Sequence, residues 1–292
     1  MKAVVLVAFG CPDCLENIGP FMERILGKTP PPALIAAVRS RYEKIGGKSP
    51  LTEITSRQVN ALKTLLDSEF LVDFAYQYWR PEIPEVVFNL VQKGVKTIYF
   101  LPMSAFNSQV STGAYQKTIK NLEEKFPEIK FYFKGELAEE PYFIEAHRQL
   151  LTTALQPFSP KNTGIIFTAH NLPKKAIDQG DTYFDEFLRT VEAIARTFPF
   201  PWQYAFQSKG KSGEEWLKPE VEDVIISWQN QGMENIIVNP IGFVADHIET
   251  LYDLDIELKE KFSTVNIVRL PALNDHPLLI KALHQMVQKM EG

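Results

Sequence analysis

The chain has 292 residues, 45% hydrophobic and 23% charged, with a formal net charge of -5 from 31 basic and 36 acidic side chains. That balance fits a globular protein of one large or two ordinary domains, and a mildly acidic chain without a Lys/Arg run argues against nucleic acid as a partner. Its two cysteines, Cys11 and Cys14, make neither a secreted disulfide framework nor the four thiolates of an iron–sulfur cluster.

The opening stretch, residues 1–10, carries one lysine and a short apolar run, then meets Cys11-Pro12-Asp13 without a small-x-small cleavage site. It reads as a first strand rather than a signal peptide. No stretch approaches the ~18 apolar residues that span a bilayer. The expectation is a soluble, cytoplasmic protein without an integral membrane segment, its oligomeric state left open. Eight short β-branched or aromatic runs read as strands buried on both faces: residues 3–9, 70–77, 96–101 and 130–134, then 163–169, 203–207, 235–239 and 265–269. Amphipathic segments at 82–92, 142–155, 183–196, 220–230 and 247–261 read as helices between them. This alternation predicts an α/β protein with parallel sheets and helices on both faces. Four strands per half suggest two doubly wound units, crossing over near residues 136–141. The last helix, 276–290, packs on either unit, and Pro30-Pro31-Pro32 forms a rigid loop or begins a helix. Ligands in such sheets bind beyond the carboxyl ends of the strands, so the site is expected in a cleft between the units.

His170, in Thr168-Ala169-His170-Asn171-Leu172-Pro173, falls at the carboxyl end of a strand. Two roles fit that placement equally: a strand-end side chain bonded to its own loop, or an imidazole that binds metal or takes a proton near neutral pH. Glu249 follows Gly242 and Asp246 at a helix start. Asp246 as N-cap with Glu249 three residues on is a capping-box pattern, and that pattern alone favours capping. Glu249, Asp253 and Glu257 recur every four residues, which on an α-helix places them on one face, ~6 Å apart along the axis. Such a stripe is either a solvated acidic face or a path for a hard-to-borderline divalent cation.

Residues 41–51 combine cations, the Gly46-Gly47 turn and a Ser49-Pro50 helix start. They offer donors for a carboxylate or phosphate, or mark only a boundary between two helices. Trp216, in Glu215-Trp216-Leu217-Lys218-Pro219, is expected in a turn, where it would face a planar ligand. Cys11-Pro12-Asp13-Cys14 has the Cys-x-x-Cys spacing, but the rest of a thioredoxin-like pattern is missing, which disfavours a redox role.

Taken together these segments resemble the ferrochelatases, which insert ferrous iron into a porphyrin in haem biosynthesis. The matching pieces are residues 41–51, 168–173, Gln179-Gly180-Asp181, Phe206-Gln207-Ser208-Lys209, Trp216-Leu217 and 242–253. They stand in the family's order across nearly the whole chain. The resemblance implies two Rossmann-like domains, 1–138 and 139–292, each a four-stranded parallel sheet flanked by helices, with the porphyrin cleft between them. It implies His170 and Glu249 as the catalytic metal-site pair and Asp253 and Glu257 as an iron path. Phe9, Arg41, Tyr42, Ser49 and Trp216 fall at porphyrin-contact positions. The partners implied are a porphyrin, coproporphyrin III or protoporphyrin IX, and Fe²⁺ as a substrate. No tightly bound cofactor and no iron–sulfur cluster are expected.

The chemistry suits these residues independently. Metallation removes two pyrrole protons while Fe²⁺ exchanges its waters for four nitrogens, work that a near-neutral base and a carboxylate can share. Soft thiolates would retain the iron, whereas a His/carboxylate pair hands it on. The chain departs from the family at some positions. Phe9 stands where Gram-positive coproporphyrin-type enzymes carry an iron-ligating Tyr, and Ile25 stands at a nearby arginine position of that type, with Arg24 and Lys28 close in sequence. Asn171 replaces a Ser and Lys218 a Gly. The rivals are a cobalt or nickel chelatase acting on a sirohydrochlorin-type ring, a non-catalytic tetrapyrrole carrier and a two-lobed solute receptor. Glu249, where the first would offer a second imidazole, argues against it.

Overall fold

In the computed structural model, which describes residues 1–135, 137–210 and 213–292, all eight expected strands form. The first sheet holds β1 (Lys2–Ala8), β2 (Phe70–Tyr76), β3 (Thr97–Pro102) and β4 (Lys130–Phe133), all parallel, in the order β2-β1-β3-β4. The second holds β5 (Thr163–His170), β6 (Trp202–Gln207), β7 (Asn235–Asn239) and β8 (Asn266–Arg269), again parallel, in the order β6-β5-β7-β8. The two sheets thus share one topology, although the sequence shows no repeat.

Burial on both faces holds for the central strands and fails at the edges. Ala3–Ala8 and Thr163–Ala169 are buried throughout, whereas β2 and β4 alternate or lie only half covered. An edge strand has one neighbour, and the flanking helices concentrate their apolar stripes over the middle of the sheet.

Helices connect consecutive strands: α1 (Ile18–Leu26), α2 (Pro32–Lys44) and α3 (Leu51–Lys63) between β1 and β2, then α4 (Ile83–Gln92) and α5 (Thr112–Lys125). In the second half they are α6 (Pro141–Leu155), α7 (Lys174–Asp178), α8 (Tyr183–Ala195) and α9 (Val221–Asn230). The proline run resolves as a helix start, with Pro32 opening α2, where a missing N–H costs nothing. Core side chains of α4 and α5, including Val86, Val87, Leu90, Tyr115 and Ile119, pack on Val5, Val7, Ile98 and Phe100 of the first sheet. In the second unit Val224, Ile225 and Trp228 of α9 pack on Ile166, Ala205 and Val238.

The expected single helix 247–261 is interrupted. It runs as α10 (Ile248–Leu251), a π-helical turn (Asp253–Glu257) and α11 (Leu258–Lys261). The Glu257 amide reaches the Tyr252 carbonyl five residues back at 2.9 Å. Single π turns of this kind recur at functional sites.

The chain divides into two compact units. One comprises 1–104, 109–135 and 274–292, the other 105–108 and 136–273. The closing helix α12 (Pro277–Glu291) belongs to the first unit, burying Leu279, Ile280, Leu283, Met286 and Val287. Gln58 of α3 donates to the Asn274 carbonyl at 2.7 Å, and Lys2 meets Glu291 at 2.6 Å. Ala138 donates to the Ala105 carbonyl, tying residues 105–108 to the second unit. Glu136, first residue of the expected crossing, lies outside the described residues.

Candidate metal-insertion site

His170 ends β5, the strand from which β6 and β7 depart on opposite sides, so it stands at the switch point of the second sheet. Its neighbour Ala169 is packed face to face with Gly242 of the turn after β7. A Cβ on Gly242 would come within 2.7 Å of the Ala169 Cα and Cβ, and the Gly242 amide donates to the Thr168 carbonyl at 3.0 Å. Only a glycine lets these two segments meet so closely, and that contact brings the start of α10 beside His170.

The imidazole is oriented by its own loop. Nδ1 lies 2.6 Å from the Asn171 carbonyl and donates to it, which leaves Nε2 to face Glu249. Nε2 sits 3.2 Å from Glu249 Oε1. The other carboxylate oxygen, Oε2, lies 3.2 Å from His247 Nε2, whose Nδ1 is 3.1 Å from the Ala245 carbonyl. One carboxylate therefore lies between two imidazoles.

Backbone and side-chain bonds fix this arrangement. Gln207, at the end of β6, donates to the Glu249 carbonyl at 2.8 Å and accepts from Thr168 Oγ1 at 2.7 Å. Tyr183 donates to the His170 carbonyl at 2.9 Å. Asp246 is not the helix cap. His247 occupies that position in extended backbone, and its amide donates to Thr250 Oγ1. Asp246 is instead held by Arg269, Nη1 to Oδ1 at 2.6 Å, and a carboxylate locked to a guanidinium does not turn back to cap the helix.

The electrostatics follow from burial and charge. Burial opposes a charge on His170, but the charge and hydrogen bond of Glu249, the Asn171 carbonyl and the charge of Asp253 outweigh it, pushing the imidazole up to about 9. Burial likewise opposes ionisation of Glu249, yet His170 and His247 hold it well below the usual carboxylate range. The resting pair is thus imidazolium and carboxylate. Their side chains are 36% and 32% exposed, so solvent reaches both. The two Nε2 atoms approach different oxygens of Glu249, and among the described residues no three His, Cys, Asp or Glu side chains close around one ion. An incoming dication would meet a loose, open ligand set.

The other expected residues are distributed as follows. Asp253 opens the π turn and accepts from Ser208 Oγ at 2.5 Å, while Glu257 closes the turn, exposed to solvent. Phe9, Arg41, Tyr42 and Ser49 belong to the first unit. Phe9 is exposed and packs on Tyr78 with ring centroids 4.6 Å apart. Tyr42 is buried at 2% exposure, and its carbonyl accepts from Gly47 in a turn where both Gly46 and Gly47 have φ near +90°. Ser49 is buried, its Oγ accepting from the Leu51 amide. Trp216, in the second unit, is not in a turn. It forms an antiparallel bridge with Pro173, flanked by a Leu217-to-Leu172 backbone bond and by Asn171 Nδ2 donating to the Leu217 carbonyl. The substituted Asn171 thereby ties the loop after His170 to the Trp216 segment. Cys11 and Cys14 are free, and burial pushes the Cys11 thiol up despite hydrogen bonds to Ser49 and Thr52. A thiol that resists ionisation is a poor redox nucleophile.

His247 is the site residue that pattern reading left unassigned. Two residues apart on a helix, side chains do not face one another. His247 reaches Glu249 because it precedes the helix in extended backbone.

Solved structures share this architecture. SirB from Bacillus subtilis with Fe³⁺ matches with a TM-score of 0.67 at 10% identity, covering 99% of this chain and 94% of that one. The sirohydrochlorin chelatase SirB from Bacillus subtilis subspecies spizizenii in complex with cobalt matches at 0.61, again at 10% identity and covering 99% and 94%. The fold is that of the two-domain chelatases. The family model for ferrochelatase matches residues 1–291. Ferrochelatases from Herpetosiphon aurantiacus and Deinococcus radiodurans are each 32% identical, covering 98% of this chain and 97% and 95% of their own lengths. That from Aquifex aeolicus is 30% identical, covering 98% of both. The chain belongs to the ferrochelatase family and is a metal chelatase enzyme.

Proposed function

We propose that this enzyme inserts Fe²⁺ into coproporphyrin III or protoporphyrin IX with release of two protons, and that His170 and Glu249 carry the reaction. The observation behind the roles is the 3.2 Å pairing of His170 Nε2 with Glu249 Oε1, with Nδ1 already committed to the Asn171 carbonyl. In the resting pair the imidazole is protonated because the carboxylate is charged. A dication taken by Glu249 cancels that charge, the His170 proton leaves at neutral pH, and Nε2 becomes free to ligate iron or accept a pyrrole proton. Metal arrival thus prepares the base.

Asp253, whose charge is felt at His170, and exposed Glu257 would draw the ion toward Glu249. Phe9, Arg41, Tyr42, Ser49 and Trp216 would contact the porphyrin, and a phenyl ring at position 9 cannot ligate product iron. Fe²⁺ is a substrate in this reading. The protein would hold no other cofactor and no iron–sulfur cluster, since two cysteines cannot supply four thiolates. No helix among the described residues is long and apolar enough to cross a membrane, and the cytoplasm is the location proposed.

One observation favours a second reading. His247 places a second imidazole on Glu249, and a site with two imidazoles would also suit a cobalt or nickel chelatase acting on a sirohydrochlorin-type ring. Anaerobic insertion assays separate the two, with Fe²⁺, Co²⁺ and Ni²⁺ each offered with porphyrin and with sirohydrochlorin. Porphyrin metallation with Fe²⁺, lost in His170→Ala and in Glu249→Gln, supports the first. Metallation of sirohydrochlorin alone establishes the second.

A further inference from the structure

The side chain of Arg269, at the end of β8, is 9% exposed and makes three short bonds to two carboxylates. Nη1 meets Asp246 Oδ1 at 2.6 Å, while Nη2 and Nε meet Asp255 Oδ2 at 2.6 and 2.8 Å. The two acids stand on either side of Glu249: Asp246 just before α10, Asp255 inside the π turn. From Asp246 the bonding continues inward, because Oδ1 also accepts from Thr250 Oγ1 at 3.0 Å, and Thr250 Oγ1 accepts from the His247 amide. Lys259 holds the remaining Asp255 oxygen at 3.0 Å.

We propose that Arg269 is a positioning residue for Glu249, one guanidinium gripping both ends of the segment that carries the carboxylate and fixing its distance to His170. Gln207 fixes the same residue from β6 through the Glu249 carbonyl. The π turn gives a second anchor something to do, because the Tyr252 carbonyl is shared between the Ile256 amide four residues on and the Glu257 amide five residues on, which breaks the regular ladder between α10 and α11. The planar fork of arginine meets two separate carboxylates at once, whereas the single ammonium of lysine does not reproduce that geometry. The proposal rests on the reading of Glu249 as the metal-binding carboxylate.

The test measures anaerobic Fe²⁺ insertion by wild type, Arg269→Lys, Asp255→Asn, Glu249→Asp and the Arg269→Lys/Glu249→Asp double variant, each checked for folding by thermal melting. Asp255→Asn removes only one arm of the grip and serves if the buried arginine proves indispensable for folding. In the folded single clamp variants, kcat/KM for Fe²⁺ is expected to fall about 10–100-fold, as for other residues that orient metal ligands, while KM for the porphyrin stays at the wild-type value. On the Glu249→Asp background, whose carboxylate is already displaced, Arg269→Lys should cost no more than about twofold further. A folded Arg269→Lys protein with wild-type kcat/KM for Fe²⁺ would overturn the proposal. So would a loss undiminished on the Glu249→Asp background, which would show that Arg269 acts elsewhere. Wild-type activity in Glu249→Asp would instead overturn the role of Glu249 itself.

Discussion

Gly242→Ala is the smallest change that tests how the site is held. The new methyl would stand 2.7 Å from both Cα and Cβ of Ala169, against an ordinary contact of 3.4–4 Å. One obstacle is backbone, so no side chain can swing aside, and the turn must part from β5 by about 0.7 Å or more. Overpacking of this kind costs about 1–3 kcal/mol, which for a fold of this size lowers Tm by about 2–4 °C per kcal/mol. The displacement falls between His170, one residue after Ala169, and the helix that bears Glu249. Misplacing reacting groups by about 1 Å can cost about 10²-fold in rate, so kcat/KM for metal insertion should drop at least about 10-fold at temperatures well below the new Tm. Anaerobic insertion kinetics and a thermal melt measure both. A variant within about twofold of wild-type kcat/KM, with Tm unchanged, would refute the claim that this contact sets the His170–Glu249 distance.

Other changes test separate parts of the site. The His170 ring should titrate near 9 by NMR in the metal-free protein, and in Glu249→Gln its midpoint should fall, since burial then acts with less opposition; an unmoved midpoint would contradict the pairing. In stability terms, the raised His170 contributes fully below its unfolded value of about 6.5 and loses that contribution as pH rises through about 9. Lowered Glu249 contributes above its unfolded value of about 4.3 and loses that contribution only as pH falls through its folded value. The gap in Tm between wild type and Glu249→Gln should therefore be widest between these two unfolded values and shrink toward pH 9, modestly, because solvent screens both groups. Tyr183→Phe removes the bond to the His170 carbonyl and should cost about 0.5–1.5 kcal/mol in urea unfolding; no loss would show that the bond is not formed in solution.

Much of the architecture was legible in the amino-acid sequence because parallel strands are short apolar runs and the connections between them are amphipathic. Residues 163–169 announced both a buried strand and the placement of His170 at its carboxyl end. The local geometry of the acidic stripe was not legible. Asp253-Leu254-Asp255-Ile256-Glu257 has the composition of an ordinary helical turn, and the backbone bonds from Glu257 to Tyr252 and from Leu258 to Asp253, each five residues back, make it a π turn. The capping pattern at Asp246 misled because Arg269, 23 residues later in sequence, holds that carboxylate. His247 went unassigned for a related reason: its reach to Glu249 depends on extended backbone just before a helix, which no helical spacing encodes. Trp216 sits in a bridge, not a turn, because its partner Pro173 comes from a loop more than forty residues earlier.

The central claim is that His170 and Glu249 act as a coupled pair in which the metal's arrival frees the base. The most direct measurement is the proton release that accompanies anaerobic binding of Fe²⁺ to the porphyrin-free enzyme at pH 7, followed with a pH indicator alongside calorimetry. Binding should release about one proton per ion in the wild type, since the His170 proton, held up to about 9 by Glu249, leaves when the carboxylate is neutralised. Glu249→Gln should bind weakly and release far less. Tight binding by the wild type without proton release, or equal release in Glu249→Gln, would contradict the account.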